Sequence, residues 1–326
     1  MSLKSLVSII IPTYNRAHLI GETLDSVLAQ TYINWECIVV DDGSVDGTDV
    51  LMKQYTESDA RFQYHKRPHT HLSGGNGARN YGFKLSKGKY IQWFDSDDVM
   101  GDRYLEARLN LFSNQIKLVI CAGYLTDEDL NIRKTIILNT NVNLYKEYAL
   151  WRFEIYTKSA LIKRTAMRGH DLFNETIKRG QETEFFTRLF FQLDFNEYKI
   201  LNTPLFFYRQ HSLTKTALSK NYNKTFKKNL VFIAKNNFHK ALDLQDEELV
   251  RFYYILLVKE MFRSADHNHF SNIKEIIKVI IAALDNRNAV LKIKLLPIVS
   301  IYYLFKRGYG IRKHLLNHAI VYKTPE

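Results

Sequence analysis

Short apolar runs alternate with amphipathic segments through the first hundred residues of the chain. Residues 6–11 form a β-branched run closed by Pro12, and apolar residues then recur at helical spacing over 17–30. Such runs predict buried strands of a parallel sheet, and such spacing predicts amphipathic helices. The predicted strands are 6–11, 35–40, 61–65 and 90–94, and the predicted helices are 17–30, 49–55 and 77–86. This order predicts a doubly wound α/β sheet, which binds its ligand beyond the carboxyl ends of the strands.

The pattern changes after residue 100. Residues 118–167 predict strands and turns, with 155–162 as the best strand. A helix over 180–193 and a strand over 205–209 are predicted next. Beyond Thr214 the spacing is helical throughout, which predicts a separate helical region at the C-terminus. The helices predicted there are 220–243, 246–265, 270–285 and 288–306.

The composition excludes several classes of protein. With 46% hydrophobic and 13% aromatic residues the chain can bury a full core, so it is not a disordered protein. Its two cysteines, Cys37 and Cys121, cannot form a disulfide framework and have no zinc-binding spacing. The apolar stretches fall short of the roughly 18 residues that a spanning helix needs. We therefore expect a cytoplasmic protein without a signal peptide or transmembrane helix.

The formal charge of +12 is unevenly distributed. Residues 1–214 contain 26 basic and 25 acidic side chains, whereas residues 215–326 contain 20 and 9. Between Asn286 and Pro325 there are eight Lys or Arg residues and no acidic residue. The net positive charge of the C-terminal third therefore predicts an anionic partner, such as a membrane surface, a nucleic acid or a phosphorylated substrate.

Basic and apolar residues are interleaved in this C-terminal segment, as in VLKIKLL (290–296) and IYYLFKR (301–307). Basic amphipathic helices with aromatic residues bind membrane interfaces, at about 1 kcal/mol per basic residue near anionic lipid. One hypothesis is peripheral docking at the inner face of the cell membrane, and the alternative is that these apolar residues pack onto the rest of the protein. A non-catalytic nucleic-acid-binding protein is the rival class. The sequence contains no nucleic-acid-binding motif, so we expect no nucleic-acid partner.

Three carboxylates follow the fourth predicted strand, in the segment Asp95-Ser96-Asp97-Asp98. A DxD pair at a strand end can hold a hard divalent cation, Mn²⁺ or Mg²⁺, which prefers oxygen ligands and shares them with substrate phosphates. The alternative is a polar turn in which Asp98 caps the next helix.

Two other strand ends are polar, at Pro12-Thr13-Tyr14-Asn15 and at Asp41-Asp42-Gly43-Ser44. Side by side these ends form one crevice, in which Tyr14 can stack on a base and Asp42 can accept from base or ribose groups. A tight turn that caps the following helix is the alternative for Asp41-Asp42-Gly43-Ser44. The glycine-rich segment 74–80, which includes Arg79, starts a helix whose N–H groups could approach phosphate. It matches neither a dinucleotide fingerprint nor a P-loop, and a flexible loop is the alternative.

These motifs resemble the family 2 glycosyltransferases, an inverting group with the GT-A fold that assembles bacterial polysaccharides and glycolipids. The match is continuous over about the first hundred residues, weaker through YRQH (208–211) and absent beyond Thr216. The matching segments are VSIIIPTYNR (7–16), SVLAQT (26–31), VVDDGS (39–44), DGT (46–48), GARN (77–80), GKYI (88–91) and FDSDD (94–98).

The resemblance implies a GT-A, Rossmann-like sheet, and the helical spacing beyond it predicts a helical C-terminal extension. Its catalytic domain would span 1–215, with a nucleotide-sugar-binding half over 1–100 and an acceptor half over 101–215. The basic helical region would span 216–326. The implied reaction is the metal-dependent transfer of a sugar from a nucleotide-diphospho donor, usually a UDP-sugar, to a saccharide or lipid-linked acceptor.

The resemblance also implies roles for individual residues. Thr13, Tyr14 and Asp42 would hold the base and ribose, and Asp95 and Asp97 would form the DxD pair, with Asp97 nearest the metal and the diphosphate. We add Arg79 to the candidates for nucleotide binding.

The catalytic base of this family usually lies in a Glu-Asp pair at the start of a helix, which aligns here with Gln181-Glu182. Glu182 keeps a carboxylate at the catalytic position, and Glu184 is the second candidate. The change to Gln181 leaves open a degenerate, non-catalytic scaffold as a rival hypothesis. His211 ends a predicted strand and is a candidate for binding the metal or diphosphate, with a surface histidine as the alternative. Arg209 could pair with phosphate or with a structural acid.

Overall fold

The computed structural model describes residues 5–167, 172–210 and 222–283, together with Lys313 and Leu315. The chain divides into two compact units. One contains Met1–Ile177 and Gln181–Leu218, and the other contains Lys178–Gly180 and Ser219–Glu326. His211 and the basic segment after Asn286, apart from Lys313 and Leu315, lie outside the described residues.

The first unit is built around one mixed sheet. Its strands are β1 (Val7–Thr13), β2 (Trp35–Asp41), β3 (Phe62–Lys66), β4 (Tyr90–Trp93), β5 (Val99–Met100), β6 (Leu118–Thr126), β7 (Ile132–Thr135), β8 (Ala160–Lys163) and β9 (Tyr198–Arg209). Its helices are α1 (Ile20–Leu28), α2 (Thr48–Ser58), α3 (Gly75–Leu85), α4 (Tyr104–Leu109), α5 (Leu144–Ala149) and α6 (Gln181–Phe191).

The strand order is β3-β2-β1-β4-β8-β6-β9-β5, and β7 pairs with β6. The strands from β3 to β4 are all parallel, which confirms the α/β prediction for the N-terminal half. Beyond β4 the sheet is mixed, since β8 is antiparallel to both β4 and β6 while β9 is parallel to β6. The long apolar strands β1 and β2 are buried because helices cover parallel sheets.

Helix α3 packs tightly on the sheet because Gly82 lets its backbone approach β1. A Cβ atom at Gly82 would lie 2.4 Å from Cγ2 of Ile10, too close for any larger residue without movement of the strand. On the same side, Ile38, Val40 and Ala78 form a fully buried apolar cluster. This close contact holds the second half of α3 against the middle of β1.

One predicted strand was partly wrong. Residues 155–162 are not one strand: Thr157–Ser159 form a 3₁₀ turn, and β8 begins only at Ala160. The turn brings the side chain of Lys158 into the interior, where carboxylates compensate its charge. The short helices α4 and α5 were not predicted, since six residues are too few to show a clear helical period.

The second unit contains three described helices, α7 (Lys224–Asp243), α8 (Glu247–Asp266) and α9 (Phe270–Ala283). Asn223 and Asp246 begin α7 and α8, since their side chains accept hydrogen bonds from N–H groups of the first turn. These helices confirm three of the four predicted C-terminal helices, and the fourth, 288–306, lies outside the described residues. No helix in the described part of the chain is long and apolar enough to cross a membrane.

Candidate active site

The predicted crevice is formed by three adjacent strand ends. Thr13 lies opposite Asp41 in the register of β1 and β2, and the Asp42 N–H donates to the Thr13 carbonyl at 2.9 Å. On the other side of β1, the Phe94 N–H donates to the Ile10 carbonyl at 3.0 Å. The three polar segments that begin at Thr13, Asp41 and Asp95 therefore start from the same edge of the sheet, as the sequence predicted.

The two aspartates after β2 have different environments. Asp41 holds a tight turn, since its Oδ1 accepts from the N–H groups of Gly43 and Ser44 at 3.0 and 2.8 Å, and its Oδ2 accepts from the Tyr64 hydroxyl. The turn interpretation is therefore right for Asp41. Asp42 points to the glycine-rich segment, where it accepts from the Gly74 N–H at 2.8 Å and pairs with Arg67.

Polar atoms without partners lie at the same edge. The Thr13 hydroxyl and the Nε atom of Arg79 are buried and have no hydrogen-bond partner within the described residues. Buried polar groups without a partner are rare because each destabilises the folded protein by about 1–3 kcal/mol. Tyr14 has the opposite character, with 55% of its surface exposed. Together they provide one aromatic face and two buried polar groups suited to a bound ligand.

The DxD segment carries a buried ion cluster that the sequence did not predict. Lys158, only 2% exposed, lies 3.3 Å from Oδ2 of Asp95 and pairs closely with the fully buried Asp98. Arg79 binds the other oxygen of Asp95 at 2.8 Å. Asp98 also accepts from the Arg209 N–H at 2.9 Å, so it anchors β9 and does not cap a helix.

The cluster determines the charge of its members. Burial opposes the ionised form of Asp95, yet Lys158 and Arg79 lower its pKa to about 2. Burial raises the pKa of Asp98, and although Lys158 opposes this rise, the negative charges of Asp97 and Asp95 add to it. Burial disfavours the charged form of Lys158, but Asp98 and Asp95 together raise its pKa. Lys158 is thus the cation that compensates two neighbouring carboxylates.

Asp97 is the member of the DxD pair best suited to a metal. Both oxygens of Asp95 are bound by cationic side chains, whereas Asp97 is partly exposed and contacts Nε of Arg16 at 3.7 Å. Among the described residues, no group of three or more His, Cys, Asp or Glu side chains is arranged to hold a metal ion. A cation at Asp97 would therefore fit only as Mg²⁺ or Mn²⁺ commonly bind, with one or two carboxylates plus phosphate and water.

Glu182 lies beside this cluster at the start of α6. The Thr157 hydroxyl donates to Oε1 of Glu182 at 3.1 Å, and the next residue, Lys158, contacts Asp95 and Asp98. One short turn therefore joins Glu182 to the DxD segment. Glu184, by contrast, is buried and bound in its own helix by Arg188, at 2.7 and 3.1 Å. Glu182 is therefore the carboxylate of this helix turn that adjoins the DxD segment, whereas Glu184 is held by Arg188.

The charge of Glu182 acts on three tyrosines of the same unit. Burial is the main cause that raises the pKa of Tyr148, Tyr156 and Tyr208, and the charge of Glu182 contributes to each of these shifts. Tyr156 and Tyr208 have ring centroids 4.8 Å apart, and Nζ of Lys158 lies 3.8 Å from the centroid of Tyr208. Tyr156 and Tyr208 therefore pack beside the ion cluster, within the electrostatic range of Glu182.

We expect the hydrogen bond from Thr157 to orient Glu182. Thr157→Val removes the hydroxyl that donates this hydrogen bond, with little change in volume. It should lower kcat about 10- to 150-fold, the range that corresponds to about 1.5–3 kcal/mol for a hydrogen bond to a charged group. Thr157→Ser retains the hydroxyl and should preserve most of the activity. Steady-state kinetics of both variants at a saturating substrate concentration provide the test. Equal activity of the two variants would contradict this role of Thr157.

Two candidates from the sequence remain, Arg209 and His211. Arg209 pairs with Glu22, so it has a structural acid as its partner. His211 lies outside the described residues. Lys158, Thr157 and Arg16 also contribute to the site and were not predicted from the sequence. A lysine inside the apolar segment 155–162 was the available signal, since a lysine is almost never fully buried unless it is paired.

A parallel N-terminal half, a mixed second half and carboxylates at the strand ends are typical of glycosyltransferases with the GT-A fold. The family model described as glycosyl transferase family 2 matches residues 8–176, so the chain belongs to this family of enzymes. The resemblance stated from the sequence is confirmed, and so is the predicted fold.

Three similar proteins illustrate the family. The chain is 26% identical over 325 residues to the minor teichoic acid biosynthesis protein GgaB of Bacillus subtilis, covering 93% of this chain and 35% of that protein. It is 38% identical over 106 residues to the Escherichia coli enzyme WfgD, a UDP-Glc:α-D-GlcNAc-diphosphoundecaprenol β-1,3-glucosyltransferase, covering 32% of this chain and 40% of that protein. The fold matches the crystal structure of S. aureus TarS 1–349 in complex with UDP-GlcNAc, with a TM-score of 0.64, 16% identity and 93% of each chain covered.

The chain spans 27% to 40% of the length of the first six curated relatives that it matches.

Proposed function

We propose that the chain is an inverting, metal-dependent glycosyltransferase that uses a UDP-sugar and acts in surface polysaccharide assembly. The observation that carries this proposal is the turn that joins Glu182, through Thr157 and Lys158, to the carboxylates of the DxD segment. Transfer from a sugar nucleotide needs a carboxylate for the acceptor hydroxyl close to the site of the leaving diphosphate, and this arrangement supplies both.

The nucleotide would occupy the crevice at the carboxyl ends of β1, β2 and β4. Tyr14 offers an exposed ring for stacking on the base, and Asp42 and the buried Thr13 hydroxyl offer polar contacts. Arg79 would take part through the Nε atom that has no partner within the described residues. Residues 1–100 would then be the donor half of the catalytic domain and residues 101–215 the acceptor half, followed by the helical region 216–326.

A divalent cation, Mn²⁺ or Mg²⁺, would be held by Asp97 together with the diphosphate, and Asp95 would stay next to it in its pairs with Arg79 and Lys158. When bound, the cation would neutralise the negative charge of the leaving diphosphate. His211 is a further candidate ligand from the sequence.

Glu182 would accept the proton of the acceptor hydroxyl while the acceptor oxygen attacks C1 of the sugar and the bond to the diphosphate breaks. This is a single displacement that inverts the anomeric centre. Arg188 already binds Glu184, which leaves Glu182 for the reaction.

The acceptor would be a saccharide or a lipid-linked glycan, as suggested by the relatives named for teichoic acid biosynthesis and for transfer to a diphosphoundecaprenol-linked sugar. A lipid-linked acceptor would place the enzyme in the cytoplasm at the inner face of the membrane. Contact with the membrane through the basic residues after Asn286 stays a prediction from the sequence.

Asp97→Ala is expected to weaken the binding of Mn²⁺ in the presence of UDP. The affinity for Mn²⁺ should fall more than about 10-fold. A loss of that size is already typical when a residue that only orients a metal ligand is removed. Electron paramagnetic resonance of free Mn²⁺ would measure it, and transfer should fall in parallel. Asp102→Ala, which removes an exposed carboxylate five residues further along the chain, is the control. Equal Mn²⁺ affinity of Asp97→Ala and the wild type would remove Asp97 from the metal site.

A panel of sugar nucleotides tests the proposed donor. UDP-glucose, UDP-N-acetylglucosamine, GDP-mannose and dTDP-glucose would be compared for saturable binding and for slow release of the nucleotide in the presence of Mn²⁺. We expect binding and turnover with a UDP-sugar. Preference for GDP-mannose would overturn the donor assignment, and no binding of any donor would favour a degenerate, non-catalytic scaffold.

A further inference from the structure

Residues 67–74 connect β3 to α3, and this β3–α3 loop is tied to Asp42 at both ends. Arg67 pairs with the Asp42 carboxylate, and the Gly74 N–H donates to the same carboxylate at 2.8 Å. The Arg67 guanidinium also donates to the His71 carbonyl, so it holds the loop together from within. Because Asp42 is a candidate for nucleotide binding, the conformation of the loop determines the surroundings of one nucleotide contact.

A single carboxylate, that of Glu175, holds the middle of the β3–α3 loop. Its Oε2 accepts from the Leu72 N–H at 2.6 Å. Its Oε1 lies 2.6 Å from Nδ1 of His71 and accepts from Nδ2 of Asn80 at 2.9 Å. Burial alone would raise the pKa of Glu175, but the hydrogen bonds from His71, Asn80 and Leu72 lower it. Glu175 is therefore an ionised acceptor with three partners.

Glu175 is itself fixed on α3 by its chain neighbours. The Phe173 N–H donates to Oδ1 of Asn80 at 3.1 Å, and Nδ2 of Asn80 donates to the Phe173 carbonyl at 2.8 Å. One turn earlier in α3, Nδ2 of Asn76 donates to the Asn174 carbonyl at 2.7 Å. Both asparagine side chains are buried. The carboxylate thus holds the loop from a fixed position.

The loop packs directly on the first turn of α3. A Cβ atom at Gly77 would lie 2.0 Å from the carbonyl oxygen of Leu72, so no larger residue fits there while the loop keeps this position. Leu72 is nevertheless 50% exposed, and a half-exposed apolar side chain gains little from burial. The hold on this part of the loop therefore depends on polar contacts, among which those of Glu175 reach the middle of the loop.

We propose that Glu175 is a positioning residue for the donor nucleotide. It holds the β3–α3 loop in the conformation in which Arg67 and Gly74 bind Asp42, without touching the nucleotide itself. A loop that is ordered in advance does not have to be ordered by the nucleotide, so the affinity for the donor is higher. This proposal rests on the proposed function, because it takes Asp42 as a nucleotide contact.

Hydrogen exchange of the full chain tests the hold on the loop without any ligand. Glu175→Gln keeps the size of the side chain but replaces one acceptor oxygen by an amide, so at least one of the three hydrogen bonds is lost. The Leu72 and Gly74 amides should then exchange about 10- to 150-fold faster, the range for one hydrogen bond to a charged group. Unchanged exchange of both amides would overturn the proposal, because Glu175 would then not hold the loop.

The affinity for UDP tests the link to the nucleotide. Glu175→Gln should raise the dissociation constant of UDP and the KM of the UDP-sugar about 10-fold, because the loop is then open in most molecules and only the closed fraction binds fully. The kcat at saturating donor should stay within about twofold of the wild type, since the bound donor restores the closed loop. A residue that only supports the fold would change the melting temperature but not the UDP affinity of the folded protein.

The matched control is Glu197→Gln. The side chain of Glu197 is 16% exposed, against 19% for Glu175, and it accepts from Lys117 and from the Asp194 N–H. Its replacement should lower the melting temperature as Glu175→Gln does, while UDP affinity and exchange in the loop stay unchanged. If Glu197→Gln weakens UDP binding as much as Glu175→Gln, the effect is a general loss of stability and the proposal is overturned.

Two substitutions of His71 keep the test independent of the folding of Glu175→Gln. His71→Asn retains a side-chain N–H group near the position of Nδ1, and it should bind UDP within about twofold of the wild type. His71→Ala removes the group that donates to Glu175 and should bind UDP about 10-fold more weakly. Equal UDP affinities of the two His71 variants would overturn the proposal.

A double variant separates this proposal from the proposed function. In the presence of Asp42→Asn, Glu175→Gln should weaken UDP binding by less than about twofold, because the two residues act through one loop and their effects are not additive. An undiminished effect would overturn the proposal alone, and so would equal UDP affinity of Glu175→Gln and the wild type. Absence of UDP binding by the wild type would overturn the proposed function and this proposal with it.

Discussion

Replacing Glu182 by glutamine is expected to lower the turnover of sugar transfer by about 10²- to 10⁴-fold, the usual contribution of a general base. The substitution preserves the size of the side chain and can keep the hydrogen bond from Thr157, but it removes the group that accepts the proton. The affinity for UDP should stay within about twofold of the wild type, because the base does not hold the nucleotide. Steady-state transfer kinetics and calorimetric titration with UDP measure the two quantities.

The matched control is Glu184→Gln, two residues further along the first turn of α6. Glu184 is bound by Arg188, so its replacement should affect stability through the loss of this pair while kcat stays within a fewfold of the wild type. If Glu184→Gln abolishes transfer and Glu182→Gln does not, the assignment of the base must be reversed.

Replacing Lys158 by methionine is expected to destabilise the first unit by about 3–5 kcal/mol, the cost of leaving a buried charge without its partner. Asp98 is fully buried, and Lys158 is the cation that contacts both it and Asp95. The neighbouring Thr157 would lose its fixed position beside Glu182. Urea denaturation of the full chain should therefore show a lower midpoint, together with a loss of transfer in the folded protein.

Two variants make this result specific. Lys163→Met removes a more exposed lysine five residues further along the chain and should change stability by less than about 0.5 kcal/mol. The double variant with Lys158→Met and Asp98→Asn removes both charges and should recover part of the lost stability. The double variant would contradict this if Asp98→Asn lowers the free energy of unfolding by the same amount in Lys158→Met as in the wild type. The two side chains would then not act as a pair.

The parallel half of the fold could be predicted from the sequence because its signal is local. The strands β1, β2 and β4 are continuous apolar runs, and each is followed directly by a polar segment. Parallel strands bring their carboxyl ends to one edge of the sheet. The order of the elements alone therefore predicted that Thr13, Asp42 and Asp95 lie close together.

The second half depends on contacts between distant residues. The partners of Lys158 lie about 60 residues away in the chain, and no local period marks a lysine that enters the core. The resemblance already ranked Glu182 above Glu184 as the base, but the partners of the two carboxylates could not be predicted from the sequence, since both lie in the first turn of α6. The pairing of Glu184 with Arg188 distinguishes them.

The anomeric configuration of the first sugar released from an α-linked UDP-sugar tests the central claim most directly. The claim is that Glu182 serves as the base of a single displacement at C1. With water as the acceptor, proton NMR recorded before mutarotation should show the β-anomer, and Glu182→Gln should slow its appearance while Glu184→Gln does not. Initial release of the α-anomer, or unchanged release by Glu182→Gln, would contradict this mechanism.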